Sequence, residues 1–217
     1  MGGWLVKSLN ILILVLFSFL LVSASPNKNE FPRIQQPEIF LNFADIRNIQ
    51  CLDSNLKEGY NGTASIINSN TLVTSDHIVV SDLCFDMATG VPLKPFFQSK
   101  EQDISLLRIP VDWKDQTINI NCNGLKVGKT YTSLGYPFGK YFVMTKLKIV
   151  RGTEFIEMKD RKVEKLTKAK GTIIPGMSGG PVLNEKGEMV GINAGTNLAY
   201  GMGLIRDLKD TDLCKKN

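Results

Sequence analysis

Histidine is almost missing from this chain: His77 is the single one among 217 residues. Transition-metal centres draw on several His or Cys ligands at short spacing. Neither a CxxC pair nor a His/Cys cluster occurs, so no metal and no cofactor is expected. Internal repeats and low-complexity blocks are also lacking. With 43% hydrophobic residues the chain has enough apolar material for one large domain or two small ones, which excludes disorder. No apolar stretch is long enough for a membrane span. The longest, Ile11 to Val22, broken only by Ser18, falls short of the roughly 20 residues a bilayer requires.

That short run has its own meaning. Lys7 precedes it and Ser23-Ala24-Ser25 follows, the charged, apolar and small-residue regions of a secretory signal. Cleavage is expected after Ala24, because a cut directly before Pro26 is sterically poor. The reading is a signal peptide at 1–24, an N-terminal segment at 25–42, and a secreted or periplasmic protein with no stable membrane span after cleavage. In an oxidising compartment the even set Cys51, Cys84, Cys122 and Cys214 reads as two disulfides, with three possible pairings. Asn61-Gly62-Thr63 is the one glycosylation sequon.

The formal charge of +5 falls to +4 when Lys7 leaves with the signal. Much of the excess sits between Lys159 and Lys170, where six Lys/Arg meet only Asp160 and Glu164. Such a run reads as a solvated hairpin. Nucleic-acid binding would call for interleaved aromatics, and there are none, so no nucleic-acid partner is expected.

Short runs rich in Val, Ile, Thr and aromatics recur between turn signals, among them "IRNIQC", "GTASIIN", "NTLVTS", "ISLLRI", "TYTSLG", "FVMTKLKIV" and "GMGLI". This spacing predicts an all-β barrel or sandwich. "PVLNEKGEMVGI" reads as a hairpin around Glu185-Lys186-Gly187, "DQTINI" with "NCNGLK" as the linker between two halves, and Ile205 to Leu213 as a short closing helix.

"GMSGGP", Gly176 to Pro181, sets one hydroxyl among three glycines. Read plainly it is a tight turn before a strand. Read chemically it is a nucleophile whose neighbouring amides face one point. The segment also satisfies G-x-S-x-G, but in α/β-hydrolases the histidine follows the serine, whereas His77 lies 101 residues before Ser178. Serine catalysis here must use His77 as base. Asp103, opening the apolar run "DISLLRI", is the best-flanked acid; Asp45, Asp53 and Asp76 are the others in range.

Taken as a set, "LVTSDHIV", "DISLLRI" and "GMSGGPV" resemble the histidine, aspartate and serine segments of the chymotrypsin-like serine proteases, in that family's order. "GLKVGKTYTSLGYPFG", "GTIIPGMSGGPV" and "GEMVGINAGTN" resemble the HtrA/Deg subgroup in particular. The resemblance covers roughly residues 43 to 207. It implies two six-stranded antiparallel β-barrels, the first at 43–117 with His77 and Asp103, the second at 118–217 with Ser178, and an active site in the cleft between them. It implies a serine endopeptidase acting on protein or peptide substrates, with Ser178 as nucleophile, His77 as base then acid, Asp103 as orienter, and the amides of Gly176 and Ser178 as oxyanion hole. A protease-fold pseudoenzyme that binds a partner through the cleft, or an esterase using the same triad, are the competing readings.

Departures from the family pattern bear on mechanism. Asp76 stands beside His77, where a carboxylate competes for the imidazole. Met177 replaces the aspartate that pairs with a freed N-terminus in trypsin-like zymogens, so Arg33-Ile34 is not expected to be an activation site. HtrA proteins usually carry a PDZ domain after the protease, and the 39 residues after Ser178 do not accommodate one. The disulfides expected are Cys51 with Cys84, bracketing the His77 segment, and Cys122 with Cys214, tying the linker to the tail. For the specificity pocket, Thr172 is expected at the base, with walls from Asn193, Ala194, Gly195 and Thr196 and from Gly201 and Gly203. With no acid there, preference for small or medium uncharged residues before the scissile bond follows.

Overall fold

Alternation of apolar and polar residues between Gly, Pro and Asn turns yields twelve strands among the described residues, which are 43–53, 55, 58–109, 117–158, 161–197 and 201–215 of this computed structural model. The expected signal, the segment 25–42 and Arg33-Ile34 lie outside them. The strands are β1 (Ile46–Leu52), β2 (Gly59–Asn68), β3 (Thr71–Thr74), β4 (Cys84–Asp86), β5 (Pro92–Ser99), β6 (Ile104–Arg108), β7 (Thr130–Gly135), β8 (Val143–Met158), β9 (Arg161–Lys170), β10 (Pro181–Leu183), β11 (Met189–Asn197) and β12 (Met202–Asp207).

They close into the two six-stranded antiparallel barrels that the resemblance implied, β1-β2-β3-β6-β5-β4 and β10-β11-β12-β9-β8-β7. Renumbered from its own first strand, the second barrel has the same circular order as the first, though no sequence repeat links them. Closure pairs the barrel portion of each strand on both sides, while the β8–β9 hairpin extends past the barrel with its strands paired only to each other. Each barrel holds its own apolar core, Ile49, Ile66, Leu72 and Leu107 in the first and Leu147, Ile149, Val182 and Ile205 in the second. A third cluster, with Ile46, Val73 and Ile104 from the first barrel and Leu134, Leu183 and Ile192 from the second, joins the two. Strand β3 shows why: all four of its residues are buried, Leu72 facing its own barrel and Val73 the seam.

From residue 117 onward, where it is described, the linker is anchored. Ile118 is buried in the seam and donates its N–H to the Ile66 carbonyl at 2.9 Å, and Ile120 bridges to Met189. In the β10–β11 hairpin the side-chain amides of Asn184 and Asn121 donate to the Glu188 carboxylate at 2.7 and 2.6 Å and hold it below the usual carboxylate range.

Several elements differ from the sequence expectation. β4 escaped it because it is only three residues long, and β5 because Pro92 and Pro95 break the strand signal, yet Pro95 sits beside a register shift, where a missing N–H is tolerated. β8 runs past Val150 to Met158 through Gly152, with three register shifts against β9. The expected closing helix begins later: Ile205 to Asp207 belong to β12, followed by a 3-10 turn at Leu208–Asp210 and one helical turn at Asp212–Lys215.

Both expected disulfides are formed. Cys51 and Cys84 are direct cross-strand partners on β1 and β4, and Cys122–Cys214 ties linker to tail across a separation of 92 residues. Replacing Cys122 and Cys214 together by Ala should destabilise the fold by about 2–4 kcal/mol. Urea unfolding checks this, and an unchanged midpoint would rule out a stabilising role for that bridge.

Candidate active site

Strands β3 and β6 are antiparallel neighbours with Thr74 opposite Ser105. Residues just past the end of β3 therefore meet residues just before β6. The 3-10 turn at Asp76–Ile78 supplies His77, and Asp103 precedes Ile104. Asp103 is 1% exposed and has φ +50°, a left-handed conformation that Asp reaches at lower cost than most residues. Both its carboxylate oxygens lie 2.9 Å from His77 Nδ1, and Oδ1 also accepts the His77 backbone N–H at 2.9 Å. This arrangement fixes the ring plane and favours a proton on Nδ1, leaving Nε2 as the acceptor. Asp76 does not compete for the ring: its Oδ1 accepts the Ser105 hydroxyl at 2.6 Å. Asp53 lies in the turn after β1, where it accepts the Glu58 N–H.

Ser178 stands in the loop entering β10. Four consecutive carbonyls of this loop are held. Pro175 C=O accepts from Phe138 N–H at 2.8 Å, Gly176 C=O from the Thr63 hydroxyl at 2.9 Å, and Ser178 C=O from Thr63 N–H at 2.8 Å. Met177 C=O accepts from Gly180 N–H at 3.0 Å and from Asn193 Nδ2 at 3.2 Å. In a trans peptide the N–H points opposite to the C=O. The amides of Gly176 and Ser178 are thereby turned outward and have no partner among the described residues, whereas those of Met177 and Gly179 donate to Ile174 and Asn193 carbonyls.

The glycines are required by space. A Cβ on Gly179 would overlap Thr74 Oγ1 and the Thr63 carbonyl, and one on Gly176, at φ +94°, would come within 2.5 Å of the backbone of Tyr136 and Phe138. Met177 is fully buried and its sulfur accepts the Ile174 N–H at 3.4 Å, so a thioether fills the place of a charged side chain. The Tyr136 to Gly139 turn packs on this loop. Burial pushes the Tyr136 phenol up, with Arg47 opposing and Asp86 reinforcing.

A cavity of about 180 Å³ is lined by His77, Ser178, Ile173, Ile174, Pro175, Ala194, Gly195 and Thr196. Three expected wall residues, Ala194, Gly195 and Thr196, are there. Thr172 does not line this cavity: it is exposed, and its carbonyl accepts from Thr145, whereas the neighbouring Ile173 is among the lining residues. Asn193 is not a wall residue either. It is fully buried, with Oδ1 accepting from Ser133 at 2.8 Å and Nδ2 donating to the Leu134 and Met177 carbonyls. Gly203 lies behind the cavity against Ile173, and exposed Gly201 does not line it. The apolar pair in "GTIIPG" was the sequence signal for Ile173. Thr63, inside an apparent sequon, gave none.

Among the described residues no group of three or more His, Cys, Asp or Glu could hold a metal, and no helix is long and apolar enough to cross a membrane.

The chain is 33% identical over 146 residues to the serine protease Do-like HtrA of Bacillus subtilis (strain 168), a match covering 62% of this chain and 31% of that protein. The chain thus spans about a third of that relative's length. Among solved structures, the Rv3671c protease of M. tuberculosis in its active form superposes with a TM-score of 0.66 at 18% identity, covering 75% of each chain. The HtrA-type protease AlgW with a tripeptide gives 0.63 at 21% identity, covering 76% of this chain and 56% of that one. At these identities the structural likeness concerns the fold. The family model of the trypsin-like peptidase domain matches residues 62–192, more than half of the chain, and the chain therefore belongs to the trypsin-like peptidase family.

Proposed function

We propose that this protein is an extracytoplasmic serine endopeptidase of the HtrA type, working through His77, Asp103 and Ser178. The observation that carries the reading is the Asp103 carboxylate seated on His77 Nδ1 at 2.9 Å while His77 and Ser178 line one cavity. Ser178 Oγ attacks the substrate carbonyl as His77 Nε2 takes its proton. Asp103 holds the ring in the required tautomer and stabilises the imidazolium. The carbonyl oxygen, now negative, is received by the Gly176 and Ser178 N–H groups, each worth about 2.7–4 kcal/mol in the transition state. His77 then protonates the departing amine, leaving an acyl-serine that water hydrolyses by the same steps with His77 as base.

Two disulfides suit an oxidising compartment. The domain division that suits this reading is 43–117 for the first barrel and 118–217 for the second. Apart from His77 the cavity lining is uncharged, with Ile173, Ile174, Pro175 and Ala194 prominent. A Lys or Arg side chain there would lose its hydration without gaining a counter-charge. Small or medium uncharged residues such as Val, Ala, Leu or Thr fit before the scissile bond.

A fluorophosphonate probe should label the wild-type protein and leave Ser178→Ala unlabelled. No labelling of either would indicate a binding protein on a protease fold. In the same assay series His77→Ala should abolish nearly all turnover, and Asp103→Asn should lower kcat by about 10⁴. Asp76→Asn should cost far less, and the reverse ranking of the two aspartates would refute the assignment. Cleavage of a diverse peptide library should fall mainly after Val, Ala, Leu or Thr, moving toward larger apolar residues in Ile173→Ala. Dominant cleavage after Arg, Lys or Glu would show that the cavity is not the specificity pocket.

A further inference from the structure

Resting on the protease reading above, we propose that Thr63, on the first barrel, is a positioning residue for the oxyanion hole on the second. Thr63 is fully buried in β2 and touches the serine loop twice, its N–H donating to Ser178 C=O and its hydroxyl to Gly176 C=O. The same hydroxyl accepts the Tyr136 N–H at 3.0 Å. That second contact reaches the loop by another route. Tyr136 begins the turn whose Phe138 N–H holds the Pro175 carbonyl, and Phe138 has φ +53°, a costly conformation for an aromatic residue. Strained backbone of this kind persists only where its surroundings over-determine it.

Of the four carbonyls that fix the loop, Thr63 holds two directly and supports a third through Tyr136. Only Met177 C=O is held without it, by Gly180 and Asn193. The Thr63 backbone is itself tied down, its carbonyl accepting the Thr74 hydroxyl at 2.8 Å just ahead of the His77 turn. A single side-chain hydroxyl therefore couples the strand that leads to the base with the turn that holds the Pro175 carbonyl, and so with the Pro175–Gly176 peptide plane that aims the Gly176 amide, while its own bond pins the Gly176–Met177 plane next to it. Without it, the Gly176–Met177 plane loses its donor and the Tyr136 N–H its acceptor, so Gly176, free of a Cβ, is no longer pinned on its C-terminal side and the turn that holds the Pro175–Gly176 plane, which carries the Gly176 N–H, is loosened. The loss falls on the transition state, because the ground-state carbonyl depends little on those donors.

Thr63→Val keeps the shape and deletes the hydroxyl, and Thr63→Ser keeps the hydroxyl and deletes the methyl. Steady-state kinetics on a peptide substrate should show kcat reduced by about 10- to 100-fold in Thr63→Val with KM changed by less than about threefold, and Thr63→Ser within about tenfold of wild type. A peptide boronic acid, whose adduct with the serine places an oxygen in the oxyanion position, should bind Thr63→Val more weakly in proportion to kcat. The affinity of a cleaved-product peptide should stay unchanged. If Thr63→Val does not fold, Thr63→Ala carries the same comparison with Thr63→Ser. Unchanged kcat on removing the hydroxyl, equal loss in the Ser and Val variants, or parallel weakening of product and boronate would each overturn the proposal. These outcomes in an active wild type would leave the protease reading standing, whereas a wild type that neither turns over nor takes the fluorophosphonate would remove both.

Discussion

A peptide plane cannot turn its carbonyl inward without turning the following N–H outward, and the stretch from Pro175 to Ser178 is organised by that rule. Donors for its carbonyls come from the 136–139 turn, from β2, from the loop itself and from β11. Each buried carbonyl left without a donor would cost about 1–3 kcal/mol, so the arrangement holds only while both barrels keep their places. The glycines follow from the same demand, because the first barrel's backbone comes so close to the loop that no Cβ fits at Gly179.

The two barrels are therefore not independent supports for two halves of a site. Their seam is apolar, with Ile46, Val73 and Ile104 meeting Leu134, Leu183 and Ile192. Specific hydrogen bonds set its registry: Ser75 Oγ donates to Asn193 C=O at 3.2 Å, Asn48 Nδ2 to Gly139 C=O at 2.8 Å, and Asp212 N–H to Gln102 Oε1 at 2.9 Å. Apolar burial supplies the driving force without direction, and the polar bonds select one relative placement. Asn193 shows the division of labour. Every polar group on it is engaged, so a residue of the conspicuous "GINAG" segment braces the serine loop from behind while its neighbours Ala194, Gly195 and Thr196 face the cavity.

Much of the site could be read before folding was considered. One histidine left one candidate base, the order of His77, Asp103 and Ser178 removed the α/β-hydrolase alternative, and the glycines around Ser178 marked a loop under close approach. Strands with clean alternation were visible as well. Those with prolines or glycines inside them, β5 and the far half of β8, were not, because their pairing is stabilised by neighbours distant in the chain. Residues assigned to the cavity by counting along the chain fared unevenly. Thr172 and Ile173 point to opposite sides, and a displacement of one residue exchanges a cavity wall for solvent.

Residue chemistry and chain order thus determined the class of fold, the pool of reactive groups and the even set of cysteines, since these depend on composition and on periodicities of a few residues. Tertiary structure alone decided that Asp76 is engaged by Ser105 rather than by the imidazole, that Ile173 rather than Thr172 lines the cavity, and that Thr63 reaches Gly176 across 113 positions of sequence. The reason is geometric: a hydrogen bond is directional and extends about 3 Å, and which groups come within that reach depends on how β3 pairs with β6 and on how one closed barrel seats against the other.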